Sequence, residues 1–385
     1  MNDQESRYGA LTAPSAVRRC VEAMAEYAGP VDPAQLAARL GRPVESIVKL
    51  DANENPYGPS PLVAEALSQF QTYQTYPDAE QLAGRALLAE YVGLPAEHLM
   101  LGNGADEMID LIMRTFLDAG DEVMDFPPSF GMYGFNAQLQ DARVVVVERN
   151  ERFDIPVDQA IAALTPRTKL ILVTSPNNPT ANTLDPADVR RLLATGRVVV
   201  MDEAYAEFAQ ADGQGFETMI GEVPAHDNLI VLRTFSKWAG LAGLRIGYAV
   251  LPLGIAAHLW KLKPPFNVNV AALTAMRESL LDQAYLMGNV RRIVAERERL
   301  FAELARLPGV RPYPSRSNFI LCDVVGLDAR VVRGQLADRG ILVRHYSTAR
   351  LRNSLRISVG RAEQNDALLA ALHDIETLAR APGQA

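Results

Sequence analysis

The residues best suited to chemistry lie in one glycine-rich stretch, residues 233–247. Lys237 is flanked there by the hydroxyls of Thr234 and Ser236, and Arg245 follows eight residues later. A lysine amine can bond covalently to an aldehyde, hydroxyls and a guanidinium can hold a phosphate, and glycines let the backbone approach a ligand closely. This combination is typical of a site for pyridoxal phosphate. A surface lysine in a glycine-rich loop is the alternative interpretation.

Two predicted strands upstream end in polar side chains that could contact the same cofactor. Residues 198–205 read as a buried strand with Asp202 at its carboxyl end, where open α/β sheets bind ligands. A carboxylate beside the pyridine nitrogen would keep it protonated, and Tyr205 could hydrogen-bond the ring oxygen. Residues 169–180 predict a second strand and a turn, which would offer the Asn178 amide to the same oxygen. A helix cap at Asp202 and a plain Asn-Pro turn at Asn178 are the alternatives.

A third segment could bind the cofactor phosphate. Residues 99–113 read as a short strand, a glycine turn and a helix with apolar residues at helical spacing. The N–H groups at the start of such a helix, together with the helix dipole, form an anion site. A dinucleotide site is excluded because Gly102 and Gly104 lack the third glycine and the acidic residue of that motif.

The order of predicted elements indicates an α/β protein with two domains. Strands alternate with helices from about residue 99 to 251, which predicts a largely parallel sheet. After Pro252 a long helical pattern at about 284–307 leads to shorter elements, including 318–323 and 354–359. This second pattern is typical of a small α+β domain, and 385 residues are enough for two cores.

Composition excludes several other classes of protein. The net charge of −8 argues against a nucleic-acid partner. Two cysteines, Cys20 and Cys322, predict no disulfide framework or zinc site and favour a reducing cytoplasm, and the five scattered histidines predict no metal. The polar start predicts no signal peptide, and no apolar run approaches the ~20 residues of a membrane span. Residues 16–27 predict an amphipathic helix that packs on the core or in a dimer contact.

Ten segments match, in order, the motifs of one enzyme family. They are the 233–247 stretch, LDANENP at 50–56, YPD at 76–78, GADE at 104–107, PPSFGMY at 127–133, SPNNPT at 175–180, DEAY at 202–205, PFNVN at 265–269, VR at 343–344 and SLRISVG at 354–360. On these motifs, which run from about residue 48 to the end, the chain resembles the histidinol-phosphate aminotransferases, a group of the fold type I pyridoxal-phosphate aminotransferases.

The resemblance implies an architecture. A large α/β domain with a mostly parallel sheet would bind pyridoxal phosphate and span residues 61–282. A small α+β domain would span residues 283–385, and residues 1–60 would form an N-terminal arm and part of the small domain. Arg344 and Arg356 would lie in the small domain and Lys237 and Asp202 in the large one, so the substrate would bind between the domains. Tyr76 falls where the family reaches the phosphate of the neighbouring subunit, so the active unit would be a homodimer.

The resemblance also assigns roles around the cofactor ring. Lys237 would bond the cofactor aldehyde and move protons, and Asp202 would contact the pyridine nitrogen. Tyr205 and Asn178 would contact the ring oxygen, with Lys237, Asp202 and Tyr205 as the catalytic group. Phe130 would stack on the ring in place of the more usual tyrosine.

Further residues would bind the phosphate and the substrate. The predicted phosphate ligands are the backbone at Ala105 and Asp106, the side chains of Thr234, Ser236 and Arg245, and Tyr76 of the neighbouring subunit. Arg356 matches the arginine that receives the anionic end of the substrate, and Arg344 and Asn53 also belong to the substrate pocket. Ala181 stands where the family usually has glycine.

The activity implied is a two-stage transamination between an amino donor and a 2-oxo acid. The favoured reaction converts L-histidinol phosphate and 2-oxoglutarate to imidazole acetol phosphate and L-glutamate, in histidine biosynthesis. An aromatic amino acid aminotransferase and a lyase resembling threonine-phosphate decarboxylase are the alternatives. A regulatory protein that binds the cofactor would need an appended DNA-binding module, and the net acidity of the chain argues against one.

Overall fold

The computed structural model describes residues 16–26, Gly29 and residues 31–380, with the backbone alone at 376–380. Residues 1–15 of the predicted N-terminal arm and Tyr27 of the predicted amphipathic helix lie outside the described residues.

The β-strands form two sheets. Their bounds are β1 Val48–Leu50, β2 Leu99–Gly102, β3 Glu122–Asp125, β4 Arg143–Val146, β5 Thr168–Thr174, β6 Val198–Asp202, β7 Leu229–Thr234, β8 Gly247–Val250, β9 Val310–Pro312, β10 Phe319–Val324, β11 Ile341–His345 and β12 Ser354–Ser358.

Helices cover the sheets and connect their strands. Their bounds are α1 Arg19–Glu22, α2 Pro33–Leu40, α3 Pro61–Gln69, α4 Leu82–Val92, α5 Gly104–Phe116, α6 Met132–Leu139, α7 Val157–Ala162, α8 Pro186–Leu193, α9 Ala206–Gln210, α10 Leu253–Leu262, α11 Val270–Leu281, α12 Gln283–Leu304, α13 Ala329–Asp338 and α14 Ala362–Arg380.

The larger sheet has the strand order β2-β8-β7-β6-β5-β3-β4. Neighbouring strands from β4 through β3, β5 and β6 to β7 pair in parallel, whereas β8 is antiparallel to both β7 and β2. The prediction of a largely parallel sheet is therefore confirmed. Parallel strands need helical crossovers, so their carboxyl ends meet at one edge of the sheet.

Both faces of this sheet are buried, which explains its runs of β-branched residues. Val199 and Val231 contribute to the apolar core on one face, and Val200 and Ile230 contribute to the core on the other. Successive side chains of a strand point to opposite faces, so each strand supplies both cores. The result is a rigid layer whose edge can hold polar side chains in fixed positions.

The smaller sheet has the strand order β1-β11-β12-β10-β9. β1 pairs in parallel with β11, whereas β12 is antiparallel to both of its neighbours, β11 and β10. A separate core that includes Leu50, Leu300 and Ile320 lies against this sheet. A strand from before the large sheet thus joins strands that follow it, although the domain division at residues 60 and 282 stays a prediction.

The predicted amphipathic helix at residues 16–27 is wrong in extent. Within residues 16–26 the α-helix covers only Arg19–Glu22, no side chain caps its start, and none of its residues is buried. Val17 and Val21 are 48% and 40% exposed. Helices this short are marginal without packing, so the apolar spacing alone does not extend this one.

Within residues 16–26, 29 and 31–380, no helix is long and apolar enough to cross a membrane. The same residues contain no group of three or more His, Cys, Asp and Glu side chains that could hold a metal ion.

Candidate active site

The carboxyl end of β6 places Asp202 in the interior of the protein. The parallel register sets Asp202 beside Thr174 at the end of β5. Asp202 is 5% exposed, its Oδ2 accepts a hydrogen bond from the Tyr133 hydroxyl at 2.7 Å, and its Oδ1 accepts one from the Ala204 N–H at 3.0 Å. Burial raises the pKa of Asp202 to about 6, although these two hydrogen bonds oppose the rise. The carboxylate is therefore held in one orientation, and a cationic partner would stabilise its ionised form.

Lys237 follows β7 and is partly buried. Its Nζ donates a hydrogen bond to the Ala52 carbonyl at 3.1 Å and lies 6.0 Å from the centroid of the Tyr205 ring. Burial, and after it the positive charge of Arg356, lower the pKa of Lys237 to about 8. The amine is thus close to the balance between its neutral and charged forms, which suits a nucleophile that also moves protons.

A polar cradle forms where β7 ends and α5 begins. The Thr234 hydroxyl donates to Ser236 Oγ at 2.9 Å, and Arg245 Nη1 donates to the same oxygen at 3.4 Å. Arg245 Nη2 pairs with Asp106 in the first turn of α5 at 3.0 Å. These hydroxyls and the guanidinium therefore converge on the amino end of a helix, where an anion is stabilised.

Two glycines allow this close approach. Gly104 has a φ of 76°, and a Cβ there would lie 2.5 Å from Arg245 Nη2. A Cβ at Gly247 would lie 2.6 Å from the Ala105 backbone nitrogen. Both positions therefore require glycine: Gly104 lets Arg245 approach the start of α5, and Gly247 lets β8 approach the Ala105 backbone.

Asn53 connects the two sheets in the region of Lys237, Tyr205 and Arg356, which we call the cleft. Its φ of 54° lies in the left-handed region that asparagine tolerates. Its Nδ2 donates to the Tyr205 hydroxyl at 3.0 Å, while its N–H donates to Ser358 Oγ at 2.8 Å and its Oδ1 accepts from the same hydroxyl at 3.0 Å. Asn53 thus fixes Tyr205, from the large-sheet part, relative to Ser358 of β12.

Arg356 extends from β12 into the same region. Its Nη1 donates to Asn178 Oδ1 at 2.8 Å, and its Nη2 donates to the Asp51 carbonyl at 2.6 Å. Arg356 is 7% exposed, and among the described residues its buried Nε has no hydrogen-bond partner. Arg344 of β11 is paired opposite Arg356 across the sheet. Paired residues of antiparallel strands project from the same face, so two guanidiniums belong to one side of the sheet.

The turn that carries Asn178 forms with alanine where the family usually has glycine. Ala181 has a φ of 62°, and its N–H donates to the Asn177 carbonyl at 2.7 Å. Its Cβ is fully buried in the large core. Packing therefore holds a backbone conformation that alanine alone disfavours.

Phe130 and Tyr76, two predicted cofactor residues, lie at the margin of the site formed around Asp202 and Lys237. The Phe130 ring is partly buried and makes an edge-on contact with Tyr133, with centroids 5.6 Å apart. Tyr76 is 77% exposed, and its ring stacks on Phe266 with centroids 4.6 Å apart. The described contacts thus connect Phe130 to Asp202 through Tyr133, whereas Tyr76 lies on the surface.

Sequence reasoning missed Tyr133, Thr174 and Ser358 as individual site residues. The Tyr133 hydroxyl contacts Asp202 and lies 2.7 Å from Thr174 Oγ1, and Ser358 orients Asn53. Tyr133 and Ser358 lie inside matched motifs, and Thr174 directly precedes one. Their position in or beside motifs indicates that they lie near the site. The local sequence does not show which side chain each of them contacts.

The side chains present fit pyridoxal phosphate. The cradle of Thr234, Ser236 and Arg245 at a helix amino end suits a phosphate, and the two glycines let β8 and Arg245 pack closely against that helix end. The buried carboxylate of Asp202 suits a protonated ring nitrogen, and the Lys237 amine suits an aldehyde. Each predicted role nevertheless stays a prediction.

Residues 45–372 match the family described as aminotransferase class I and II. The chain belongs to this family. It is also 48% identical over 368 residues to the histidinol-phosphate aminotransferase of Roseiflexus castenholzii, which covers 93% of this chain and 98% of that relative. The histidinol-phosphate aminotransferase of Dehalococcoides mccartyi is 46% identical over 339 residues, 88% of this chain and 93% of that relative.

A solved structure supports the same grouping. The histidinol-phosphate aminotransferase of Sinorhizobium meliloti in complex with pyridoxal-5'-phosphate superimposes with a TM-score of 0.84 and 28% identity, over 94% of this chain and 98% of that one. The predicted resemblance, the fold type I architecture, the aminotransferase class and the pyridoxal phosphate cofactor are therefore confirmed.

Proposed function

We propose that this chain is a histidinol-phosphate aminotransferase of histidine biosynthesis. It converts L-histidinol phosphate and 2-oxoglutarate to imidazole acetol phosphate and L-glutamate, with pyridoxal phosphate as cofactor. The observation that carries this proposal is the 48% identity to the Roseiflexus castenholzii enzyme of that name along 93% of the chain. The arginines and the lysine at the cleft support it independently.

When bound, pyridoxal phosphate supplies an aldehyde carbon that accepts an amine and a ring that draws electrons from the substrate Cα. Lys237 Nζ would then take the proton from the substrate Cα and later release it. Its pKa of about 8 supports this role, because a base near the working pH can both accept and donate. The Ala52 carbonyl keeps the amine at the base of the cleft.

Asp202, Tyr205 and Asn178 would orient the ring. Asp202 offers a buried negative charge that Tyr133 and the Ala204 N–H hold in place. Tyr205 accepts a hydrogen bond from Asn53, which leaves its own hydroxyl proton free to donate. Asn178 uses Oδ1 to accept from Arg356, so its amide nitrogen is turned away from the arginine and can donate to a ring oxygen.

Arg356 and Arg344 would bind the phosphate of the substrate. They are register partners on neighbouring strands of the small sheet, and Arg356 is almost completely buried. A guanidinium fork matches the geometry of phosphate oxygens. Two such groups on one side of a sheet favour a dianion over a single carboxylate.

We also propose a homodimer in a reducing cytoplasm. Tyr76 is exposed in one chain, beside an exposed Phe266, and this is consistent with contact to a second copy. Cys20 and Cys322 are both free thiols, which fits a reducing compartment. An amino donor and a 2-oxo acid are the partners that the reaction requires.

A substrate panel tests the proposed function. The purified protein with cofactor is given histidinol phosphate, phenylalanine or threonine phosphate, each with and without 2-oxoglutarate. We expect glutamate formation from histidinol phosphate, dependent on 2-oxoglutarate, at a kcat/KM above that for phenylalanine. Strong preference for phenylalanine favours an aromatic aminotransferase, and carbon dioxide release from threonine phosphate without 2-oxoglutarate favours the lyase.

A further inference from the structure

The connection between β11 and β12, residues 346–353, touches the large-sheet part of the protein through Arg350. Arg350 follows Arg344 by six residues and precedes Arg356 by six. The two strands that carry the proposed substrate arginines are therefore joined by a segment with Arg350 near its middle. Whatever holds this segment in place also limits how far the two strands can move.

The Arg350 guanidinium makes three contacts with residues 149–153. Its Nη1 donates to the Arg149 carbonyl, and its Nη2 donates to the Asn150 carbonyl. Its Cζ lies over the Phe153 ring, 4.5 Å from the centroid. The side chain is only 29% exposed, with Glu148 Oε2 at 3.8 Å. A guanidinium can span two carbonyls with parallel N–H groups while it stacks on a ring, and an ammonium group cannot.

The segment that receives Arg350 is itself fixed. Arg149 is 5% exposed, its Nε donates to the Phe126 carbonyl at 2.9 Å, and its Nη1 donates to the Phe153 carbonyl at 3.0 Å. Asn182 Nδ2 donates to the same Phe153 carbonyl at 2.8 Å. Phe126 and Asn182 each lie four residues from a predicted cofactor residue, Phe130 and Asn178. The anchor is thus hydrogen-bonded to the two segments that carry these predicted cofactor residues.

The connecting segment also packs against this anchor. Leu351 is 2% exposed and joins Phe153 and Leu321 in a small apolar cluster, to which Tyr346 adds a partly buried ring. The segment therefore contacts the anchor through Leu351 as well as through Arg350.

We propose that Arg350 is a positioning residue, which fastens the β11–β12 connection to residues 149–153 and so holds Arg344 and Arg356 ready for a phosphorylated amine. The inference rests on the proposed function. Without Arg350 the connection fluctuates, and the substrate must order it on binding, which weakens binding. Proton transfer at Lys237 does not use the Arg350 side chain, so the KM for the amine rises while kcat stays nearly constant.

The test compares three variants of the full-length protein with cofactor bound. Arg350→Ala removes all three contacts, and Arg350→Lys keeps the charge without the bidentate geometry. Arg352→Ala is the matched control, because Arg352 is exposed in the same connection and contacts His345 through its backbone carbonyl, which the substitution keeps. Amide hydrogen exchange of residues 346–353 reports on the connection, and steady-state kinetics with histidinol phosphate report on KM and kcat.

For Arg350→Ala we expect at least tenfold faster exchange in residues 346–353 and a KM about tenfold higher, with kcat within about twofold of wild type. Arg350→Lys should have an exchange rate and a KM between those of wild type and Arg350→Ala. Arg352→Ala should match wild type in exchange, KM and kcat. Unchanged exchange in Arg350→Ala overturns the fastening role, and faster exchange with an unchanged KM overturns the positioning role. A wild-type protein inert toward histidinol phosphate overturns the proposed function instead, and the exchange comparison still decides whether Arg350 fastens the connection.

Discussion

Tyr133 donates its hydroxyl proton to Asp202 Oδ2 across 2.7 Å, between two side chains that are 1% and 5% exposed. The same hydroxyl lies 2.7 Å from Thr174 Oγ1, so three polar groups from α6, β6 and β5 meet inside the core. Asp202 is the proposed partner of the cofactor nitrogen. Tyr133 thus fixes the Asp202 carboxylate in place and favours its ionised form, on which the proposed contact with the ring nitrogen depends.

Tyr133→Phe should destabilise the cofactor-free protein more at pH 8 than at pH 5. A hydrogen bond to a charged group contributes about 1.5–3 kcal/mol, and Asp202, with a pKa of about 6, is ionised only at the higher pH. Urea unfolding at the two pH values measures the difference. Tyr313→Phe is the control, because its partner Asp323 has a pKa below the ordinary value and is ionised at both. An equal cost for Tyr133→Phe at pH 5 and pH 8 would contradict the coupling.

Asp202→Asn should stabilise the cofactor-free protein at pH 8 and yet lose most turnover. The pKa of Asp202 rises from an ordinary value of 3.8 to about 6 on folding, so the cost of burying the ionised carboxylate is fully present above pH 6. That cost disappears as the pH falls to the ordinary value. Neutral asparagine should therefore gain about 3 kcal/mol at pH 8 and nothing near pH 4.

Thermal unfolding across this pH range, together with an activity assay, checks both parts of the Asp202 prediction. Near-normal turnover would remove Asp202 from the catalytic group, and a stability gain that is the same at pH 4 and pH 8 would show that folding does not raise the pKa of Asp202.

The sequence allowed the individual site residues to be proposed because the motifs and strand ends are local patterns. Asp202 ends a run of β-branched residues, and Lys237 lies between hydroxyls. The sequence does not predict which of the site side chains contact each other, because those contacts join distant parts of the chain. Tyr133 and Asp202 are 69 residues apart, and Asn53 and Ser358 are 305 apart. Local spacing carries no information about which of many polar side chains meet in the core.

The prediction of how far the N-terminal helix extends was wrong for a related reason. Apolar spacing at residues 16–27 predicted an amphipathic helix, but a helix of that length needs a surface to bury its face. Val21 stays 40% exposed, and the helix ends at Glu22. By contrast α5, which buries Met108 and Ile112, runs from Gly104 to Phe116 and includes the helical residues that the spacing predicted.

Lys237→Ala should abolish turnover while the protein keeps its fold. Borohydride reduction followed by peptide mapping should place the cofactor of the wild type on Lys237. Lys263→Ala is the matched control, because burial also lowers the pKa of Lys263 and yet that lysine lies outside the polar cradle. Cofactor mapped to Lys169, Lys261 or Lys263 would show that the site is misassigned.

The same lysine predicts a pH dependence for cofactor attachment. Only the neutral amine reacts, and the pKa of Lys237 is lowered to about 8, chiefly by burial and then by Arg356. The rate of covalent attachment to the cofactor-free protein should rise with pH and level off above about 8, whereas an ordinary lysine levels off above about 10. Stopped-flow absorbance measures this rate, and a midpoint near 10 would contradict the burial of the amine.

Tyr76→Phe should weaken cofactor binding about tenfold, because the hydroxyl would no longer reach the phosphate of the neighbouring chain, while the ring still stacks on Phe266. Tyr73→Phe is the control, because Tyr73 is also exposed and its hydroxyl donates to the Leu67 carbonyl of its own chain. Sedimentation should show a dimer over the concentrations of the assay. A fully active monomer would remove the basis for this role of Tyr76.

Arg356 and Arg344 should together select a phosphate over a carboxylate on the substrate. Arg356 already uses Nη1 and Nη2 on Asn178 and the Asp51 carbonyl, which orients its plane, and its buried Nε lacks a partner among the described residues. Loss of a buried charged partner costs about 2 to 5 kcal/mol, or thirtyfold and more in kcat/KM. Arg356→Ala should therefore damage turnover of histidinol phosphate far more than it damages cofactor binding.

Arg344→Ala should reduce kcat/KM for histidinol phosphate more than for phenylalanine, because a dianion can use both guanidiniums and a carboxylate is satisfied by one. The measurement is the ratio of the two kcat/KM values in wild type, Arg344→Ala and Arg356→Ala, with cofactor affinity determined in parallel. Arg352→Ala removes an exposed arginine outside the cleft and should leave the ratio unchanged. If the wild type strongly prefers phenylalanine and Arg344→Ala keeps that ratio, the pair does not select phosphate, and an aromatic aminotransferase becomes the better description of the site.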